Sequence, residues 1–227
     1  MVLSTLASCV LLATLTSPGT LDRWGPPLKE HWSANRTYVL RVDDNAKTLT
    51  LKRNTGNGFA MEWKTGFPQE YRKSSPAAPH LALVANDGRD VVLCNVHASM
   101  GYGKVLVYLG ANGAVTKTYE LAEFLSEDEA RNAMRTVSSI WWHAHELIFF
   151  DDSLRQFQLV TAAGTVIAFN AKTGEKAKLG GGAAQAIRDK GITKARDMVA
   201  TNDRSKQERG KWLLQLLGAS KPTPGAQ

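Results

Sequence analysis

Cysteine is scarce in this chain of 227 residues and never occurs in a paired motif. The two cysteines, Cys9 and Cys94, lie far apart and no C-x-x-C is present. This excludes a zinc ribbon, a thioredoxin-like motif and c-type haem attachment. Cys9 lies in the apolar N-terminal stretch, so removal of that stretch would leave Cys94 without a disulfide partner. We expect Cys94 to be a small buried hydrophobic residue.

Signatures of membrane proteins and of common enzymes are also missing. The apolar stretch at residues 136–150 is too short and too interrupted to span a membrane. The glycines at 180–182 are not followed by Lys-Ser or Lys-Thr, which excludes a phosphate loop and favours a linker. The segment from His97 to Gly101 has a histidine where the nucleophile elbow of a serine hydrolase has its first glycine. The sequence therefore favours a non-enzymatic role.

The net positive charge belongs to the C-terminal quarter of the chain. Residues 1–170 hold 16 Lys and Arg against 16 Asp and Glu, whereas residues 171–227 hold 12 against 5. The balanced body disfavours nucleic acid as a partner, but the tail could contact nucleic acid or anionic lipid. Interspersed acidic residues fit a merely solvated helix face equally well. The anion-binding candidates are Lys194, Arg196, Arg204, Lys206, Arg209 and Lys211.

Residues 1–20 resemble a signal peptide. They are apolar, carry no charge and contain a Pro18-Gly19 break, although the usual positive start is absent. Leu6 to Cys9 is also similar to a lipid-attachment motif. We expect an extracytoplasmic protein, periplasmic or secreted, that meets membrane only through this leader or the basic tail. The alternative is an N-terminal element packed in a cytoplasmic core.

Residues 21–178 have the period-two hydrophobic pattern of β-strands. Turn residues at 43–45, 86–88, 111–113 and 163–164 predict four hairpins. One helix interrupts them, because Ser126 and Glu129 have the spacing of a capping box, and we expect it to extend to about Arg135. The predicted fold class is mainly β and antiparallel, with one inserted helix and a C-terminal helical hairpin.

The helical hairpin is predicted at residues 183–218, where the period changes to about 3.6 residues. We expect Gly191 to interrupt its first helix and a capping box from Ser205 to Glu208 to open its second. One hairpin cannot bury its own apolar face, so it must dock on the β body or on another chain. Residues 219–227 are predicted to form a disordered tail.

Three segments of the body, SANRTYVLRV, ANDGRDVVLC and WWHAHELIFF, recur about 53–56 residues apart. Together with their paired strands they resemble blades of a β-propeller, without a WD or kelch signature. The pair ARDMVATND and KWLLQLLG resembles a HEAT-type hairpin. In layout the chain resembles uncharacterised exported bacterial proteins in which propeller-like repeats precede a HEAT-like helix pair. The resemblance implies an architecture and no activity.

An incomplete propeller-like array would leave sheet edges unpaired, and a partner that covers such edges is the basis of our first functional hypothesis. Three units are fewer than the four of the smallest usual propellers. A protein partner or a second copy of the chain could cover the open edges. We therefore expect a non-catalytic binding or scaffolding module that acts by protein–protein contact, with no cofactor.

The second hypothesis is a divalent metal site in the stretch at residues 136–150. His143 and His145 would share one face of a strand, and such an H-x-H pair can bind a metal ion. Glu146, or Cys94 and His97 from an earlier strand, are the candidates for a third ligand. Alternatively, one histidine is a surface residue and the other satisfies a local carbonyl group.

Overall fold

The fold is that of a computed structural model, which describes residues 27–69, 78–97, 99–136 and 139–219. The predicted leader at 1–20 and residues 220–227 of the predicted disordered tail lie outside these ranges. The mainly β class with a C-terminal helical hairpin is confirmed. In the described ranges, no helix combines the length and the apolar character that crossing a membrane requires.

Three antiparallel sheets follow one another along the chain, and in each of them the strands pair in sequence order. Sheet 1 consists of β1 (Glu30–Trp32), β2 (Tyr38–Asp43), β3 (Thr48–Asn54) and β4 (Phe59–Gly66). Sheet 2 consists of β5 (Pro79–Val84), β6 (Val91–Val96), β7 (Leu106–Leu109) and β8 (Val115–Tyr119). Sheet 3 consists of β11 (His143–Asp151), β12 (Gln156–Thr161) and β13 (Val166–Asn170).

The remaining elements are a short 3-10 helix (Leu121–Glu123), a helix and a two-stranded ribbon before sheet 3, and the helical hairpin after it. Apart from the 3-10 helix, their bounds are as follows. They are α1 (Glu127–Asn132), β9 (Met134–Arg135), β10 (Ile140–Trp141), α2 (Gly181–Val199) and α3 (Arg204–Leu216).

The capping box of α1 is confirmed. The Ser126 hydroxyl accepts a hydrogen bond from the Glu129 backbone N–H at 3.2 Å, and the Glu129 carboxylate accepts one from the Ser126 N–H at 3.3 Å. The helix ends at Asn132 and not at about Arg135. Its predicted end was wrong because Met134 and Arg135 pair with β10, and the gain from strand pairing replaces the last helical turn.

The three sheets and the helical hairpin form four layers with an apolar core between each neighbouring pair. Between sheets 1 and 2 the core includes Leu40, Leu51, Trp63, Leu93 and Val107. Between sheets 2 and 3 it includes Val92, Cys94, Tyr108, Phe157 and Phe169. Between sheet 3 and the hairpin it includes Leu147, Val160, Ile187, Ala195 and Leu213. The helical hairpin therefore docks on the β body.

Two glycines allow the hairpin to pack closely. The predicted interruption at Gly191 was wrong, since α2 is continuous through this residue. A Cβ atom there would lie 3.1 Å from Leu217 and 3.2 Å from Leu147, so glycine brings α2 close to sheet 3. A Cβ atom at Gly210 would lie 2.7 Å from the carbonyl oxygen of Ala195 on the other helix. Tertiary packing thus outweighs the poor helix propensity of glycine.

The N-cap of α3 also differs from the prediction. Asp203 occupies this position, and its carboxylate accepts hydrogen bonds from the backbone N–H groups of Ser205 and Lys206. A carboxylate at a helix N-terminus satisfies free N–H donors and interacts favourably with the helix dipole. Ser205 is therefore inside the helix and does not cap it.

A ladder of side chains joins the turns that follow the first strand of each sheet. The backbone N–H of Asn35 donates to the Asn86 side-chain oxygen at 2.9 Å, and the Asn35 amide donates to the Asn86 carbonyl at 3.2 Å. Asn86 in turn donates its backbone N–H and its side-chain amide to the Asp152 carboxylate, each at 2.6 Å. Asp152 therefore occupies in sheet 3 the position that Asn86 occupies in sheet 2. The segment WWHAHELIFF, which the sequence pattern aligned with ANDGRDVVLC, lies before this turn and supplies strands β10 and β11.

We predict that Asn86→Ala will lower the free energy of unfolding by about 2 kcal/mol. The substitution removes two hydrogen bonds to neighbouring turns, and one of them is to a carboxylate. Urea unfolding at pH 7 measures the change. Asn112→Ala is the matched control, because the Asn112 side chain bonds its own turn, where it accepts from the backbone N–H of Ala114. Equal losses in the two variants would contradict a role for Asn86 between the sheets.

Candidate functional site

All five histidines of the chain lie on or next to the strands where the three sheets meet. His31 is on β1, His80 on β5, and His143 and His145 on β11, while His97 directly follows β6. The first strand of sheet 2 contacts the first strands of both neighbouring sheets. We call this set of five residues the histidine cluster.

The imidazole rings of the cluster are close neighbours. The ring centroid of His80 lies 5.2 Å from that of His145 and 5.9 Å from that of His97. His143 and His145 lie 6.1 Å apart with nearly parallel rings, so both project to the same side of β11. His31 and His143 are each only 4 % exposed, whereas the other three rings are half-buried.

Asn95 fixes the buried end of the cluster. Its side-chain oxygen accepts hydrogen bonds from the indole N–H of Trp142 at 2.9 Å and from the backbone N–H of Gly101 at 3.0 Å. The amide nitrogen then faces Nε2 of His143 at 2.9 Å. Because an amide NH₂ can only donate, His143 accepts at Nε2 and its neutral ring carries the proton on Nδ1. The Asn95 backbone has φ of 55°, a conformation that asparagine tolerates better than most residues.

His31 makes a similar contact at the junction of sheets 1 and 2. Its Nδ1 atom accepts a hydrogen bond from the backbone N–H of Ala82 at 3.2 Å. A ring that accepts at Nδ1 is neutral and carries its proton on Nε2. Each of the two buried histidines therefore uses a lone pair to bond sheet 2.

The environment favours the uncharged form of four rings of the cluster at neutral pH, those of His31, His80, His143 and His145. Burial lowers the pKa of His31 to about 4 and that of His143 to about 3. Burial, together with the nearby histidines, lowers the pKa of His80 to about 4. Burial also lowers the pKa of His145, although the neighbouring Glu146 carboxylate acts in the opposite direction. Desolvation penalises the charged imidazolium, and each ring discourages a proton on the next.

The predicted metal ligands are only partly brought together. His97, His143 and His145 join the cluster, whereas Cys94 packs in the core between sheets 2 and 3. Cys94 pairs with Leu81 of β5, so it shares a face with Leu81 and lies on the face opposite His80. Burial also raises the pKa of its thiol, which disfavours the thiolate that binds metal.

Within the described ranges, no group of three or more His, Cys, Asp or Glu side chains is arranged to hold a metal ion. The metal hypothesis therefore stays a prediction. Sequence reasoning missed His31, His80 and Asn95. The detectable signal was Asn95, a polar residue in the otherwise apolar run VVLCNV of β6.

The basic residues of the hairpin have mixed surroundings. Arg209 donates two hydrogen bonds, both 2.9 Å, to the Glu146 carboxylate and stacks over Trp212. The Lys194 ammonium lies 5.6 Å from the centre of the Phe149 ring. Lys206 and Lys211 form ion pairs with acidic residues of their own helix or its cap. Arg196 and Arg204 are exposed. An anion-binding role stays a prediction, and Arg209 and Lys194 already contact sheet 3.

The outer face of sheet 1, which points away from sheet 2, is a second candidate site. The strand register places Glu30, Arg41, Thr50 and Lys64 in one row across it. Arg41 forms an ion pair with Glu30 at 2.9 Å. This face borders a groove of about 740 Å³.

Apolar side chains accompany these charges. Phe59 is 44 % exposed and Met61 is 65 % exposed, and both lie on the edge strand β4. The Phe59 ring contacts Trp32 at a centroid distance of 5.9 Å, and the Arg41 guanidinium lies 5.1 Å from the Phe59 ring centre. In the part of the chain that the structure describes, this is the sheet face left without a covering layer.

No protein family profile matches the chain, and no curated protein matches it. Its similarity to solved structures is weak, as three of them illustrate. BamB from Moraxella catarrhalis is 13 % identical, covers 66 % of this chain and 34 % of its own, and has a TM-score of 0.37. A candidate 6-phosphogluconolactonase from Bacteroides uniformis is 13 % identical, with coverages of 66 % and 39 % and a TM-score of 0.35.

The third solved structure is a candidate exported protein from Bacteroides fragilis. It is 11 % identical, with coverages of 76 % of this chain and 46 % of its own, and its TM-score is 0.34. The chain thus spans less than half the length of each of these proteins. The propeller-like and HEAT-like comparisons stay predictions.

We predict that Asn95→Ala will lower the free energy of unfolding by about 3–5 kcal/mol. The change leaves three buried groups without their partner: Trp142 N–H, Gly101 N–H and His143 Nε2. Urea unfolding monitored by tryptophan fluorescence measures the loss.

Asn95→Gly separates the contribution of the amide side chain to stability from that of the backbone conformation. Glycine adopts positive φ without strain but has no amide, so most of the loss should remain. A loss below about 1 kcal/mol in both variants would show that the amide does not hold this end of the cluster.

Proposed function

We propose that the protein is a non-catalytic binding module that contacts a protein partner through the outer face of sheet 1. The observation that carries the proposal is the asymmetry of the layers. Sheets 2 and 3 are covered on both faces, by neighbouring sheets and by the helical hairpin. Among the described residues, sheet 1 is covered on one face, and exposed Phe59 and Met61 flank the other.

The chemistry of this face supports a protein as the partner. Aromatic, methionine and arginine side chains are enriched at protein interfaces, and Phe59, Met61 and Arg41 occur together here. The charges have both signs, because Glu30 and Asp43 accompany Arg41 and Lys64 around the groove. A nucleic acid or an anionic membrane would favour a single, positive sign.

The proposed location is extracytoplasmic. It rests on the composition of residues 1–20, which has the apolar character and the break of a signal peptide. The binding proposal does not depend on the compartment.

We predict that a photo-reactive benzoylphenylalanine at position 61 will give a discrete covalent adduct with a partner protein in cells that produce the chain. Its yield should fall at least fivefold when Phe59→Ser is added, because the exposed ring would anchor the contact. Denaturing electrophoresis and mass spectrometry measure the adduct. A second copy as the partner would give twice the chain mass of 24.8 kDa.

The matched control places the same photo-reactive residue at Leu154, which is 57 % exposed in the turn between β11 and β12. This position should not give the adduct. The same adduct from both positions, or no adduct from position 61, would contradict the proposed interface.

A further inference from the structure

Two rows of directly paired residues cross the outer face of sheet 1. Each row has one residue from each strand, because residues that pair directly share a face of the sheet. In strand order from β1 to β4, the first row is Glu30, Arg41, Thr50 and Lys64. In the same order, the second row is Trp32, Val39, Lys52 and Met61. The face therefore has an acidic and an aromatic residue at one edge, and a basic residue and a methionine at the other.

Both rows are complementary to themselves when they are read from the opposite edge. A half-turn about an axis parallel to the strands places β1 of one copy opposite β4 of a second copy. Glu30 then faces Lys64, and Trp32 faces Met61, twice in each pair of copies. A carboxylate opposite an ammonium is electrostatically complementary, and a thioether next to an aromatic ring is a favourable contact. The outer face of sheet 1 thus fits a second copy of itself in this orientation.

The two rows also disfavour a two-fold axis that runs across the strands. An axis along the first row would place Glu30 opposite Glu30 and Lys64 opposite Lys64, and like charges that face each other weaken an interface. An axis between the two rows would place the Lys64 ammonium opposite Met61. With the axis parallel to the strands, by contrast, Arg41 faces the uncharged Thr50. Sheets that pack face to face also keep their strands nearly aligned, as this axis does.

The side chains of this face are held in place before any partner binds. The Arg41 guanidinium bonds Oε1 of Glu30 at 2.9 Å and lies 5.1 Å from the centre of the Phe59 ring. A carboxylate has two oxygens that accept, so Glu30 can bond Arg41 of its own chain and a lysine of another. Phe59 in turn contacts Trp32. Fixed side chains lose little conformational freedom on association, which favours binding.

The order of the layers limits how copies of the chain can associate. Sheet 2 covers one face of sheet 1, and sheet 3 covers the next face of sheet 2, so each sheet already packs on a sheet of the same strand order. The far face of sheet 3 is covered by the helical hairpin, which blocks a head-to-tail stack of copies. Among the described residues, a pair joined at the outer faces of sheet 1 leaves no sheet face without a covering layer.

We propose that two copies of the chain pair through the outer faces of sheet 1, about a two-fold axis parallel to the strands. Glu30 of each copy faces Lys64 of the other, and Trp32 faces Met61. The inference rests on the proposed function, and it names the partner at that same face. Four strands that lie about 4.8 Å apart give a face about 19 Å wide. Because this face is small beside those of permanent dimers, the pair forms in a concentration-dependent way.

Sedimentation velocity of the full chain over a range of concentrations measures the dimer dissociation constant. Glu30→Lys and Lys64→Glu should each raise this constant by about tenfold or more, because like charges then face each other. An equimolar mixture of the two variants should recover the wild-type constant, since opposite charges face each other at both positions of the mixed pair. Recovery in the mixture also shows that both variants fold. Glu208→Lys is the matched control, because Glu208 is an exposed glutamate of α3 that likewise forms an ion pair, with Lys211.

A monomer at every concentration would overturn the pairing, and so would a mixture that associates no better than the single variants. The photo-reactive residue at position 61 distinguishes this failure from failure of the proposed function. An adduct of twice the chain mass that links position 61 to the segment around Trp32 supports the pairing. An adduct with a different protein, from a chain that is monomeric alone, overturns the pairing and leaves the proposed function intact. A monomeric chain that gives no adduct overturns both.

Discussion

Sheet 2 is apolar on both faces, and the rest of the structure depends on covering both of them. Val91, Val92, Leu93 and Cys94 are consecutive in β6, and each is at most 1 % exposed. A strand with such a run needs a layer on either side. Sheet 1 covers one face and sheet 3 covers the other. Sheet 3 then has an apolar face of its own, which the helical hairpin covers. The last face of sheet 1 is mixed in polarity, and no layer of the described ranges covers it.

Local features of the fold could be predicted from the sequence. Turn residues define the hairpins, and the capping box of Ser126 and Glu129 sets the start of α1. The burial of Cys94 follows from its apolar strand, and it is 0 % exposed. The order of the layers could not be predicted, because it depends on which apolar faces pair across tens of residues. Gly191 illustrates the difference, since glycine disfavours a helix locally but is needed where α2 packs on Leu147 and Leu217.

The candidate site also combines residues that could be predicted from the sequence with residues that could not. His143 and His145 are visible in the sequence, because their spacing places them on one side of a strand. His31 and His80 are single histidines in separate strands, and only the stacking of sheets brings them to the same junction. Asn95 is the residue that makes the junction specific, since its one amide bonds both an acceptor of sheet 3 and two donors. Buried polar groups of this kind fix the relative position of layers only when every partner is satisfied.

Within the described residues, sheet 2 is enclosed between two layers, while sheet 1 has one face without a covering layer. Hydrogen–deuterium exchange of the native chain at pH 7 tests it most directly, because exchange reports how far each strand is protected. We expect the slowest exchange at the amides of β6 and β7 and fast exchange along the edge strand β4. Exchange at β6 and β7 as fast as at β4 would contradict the layered structure, and with it the open face as the place where a partner binds.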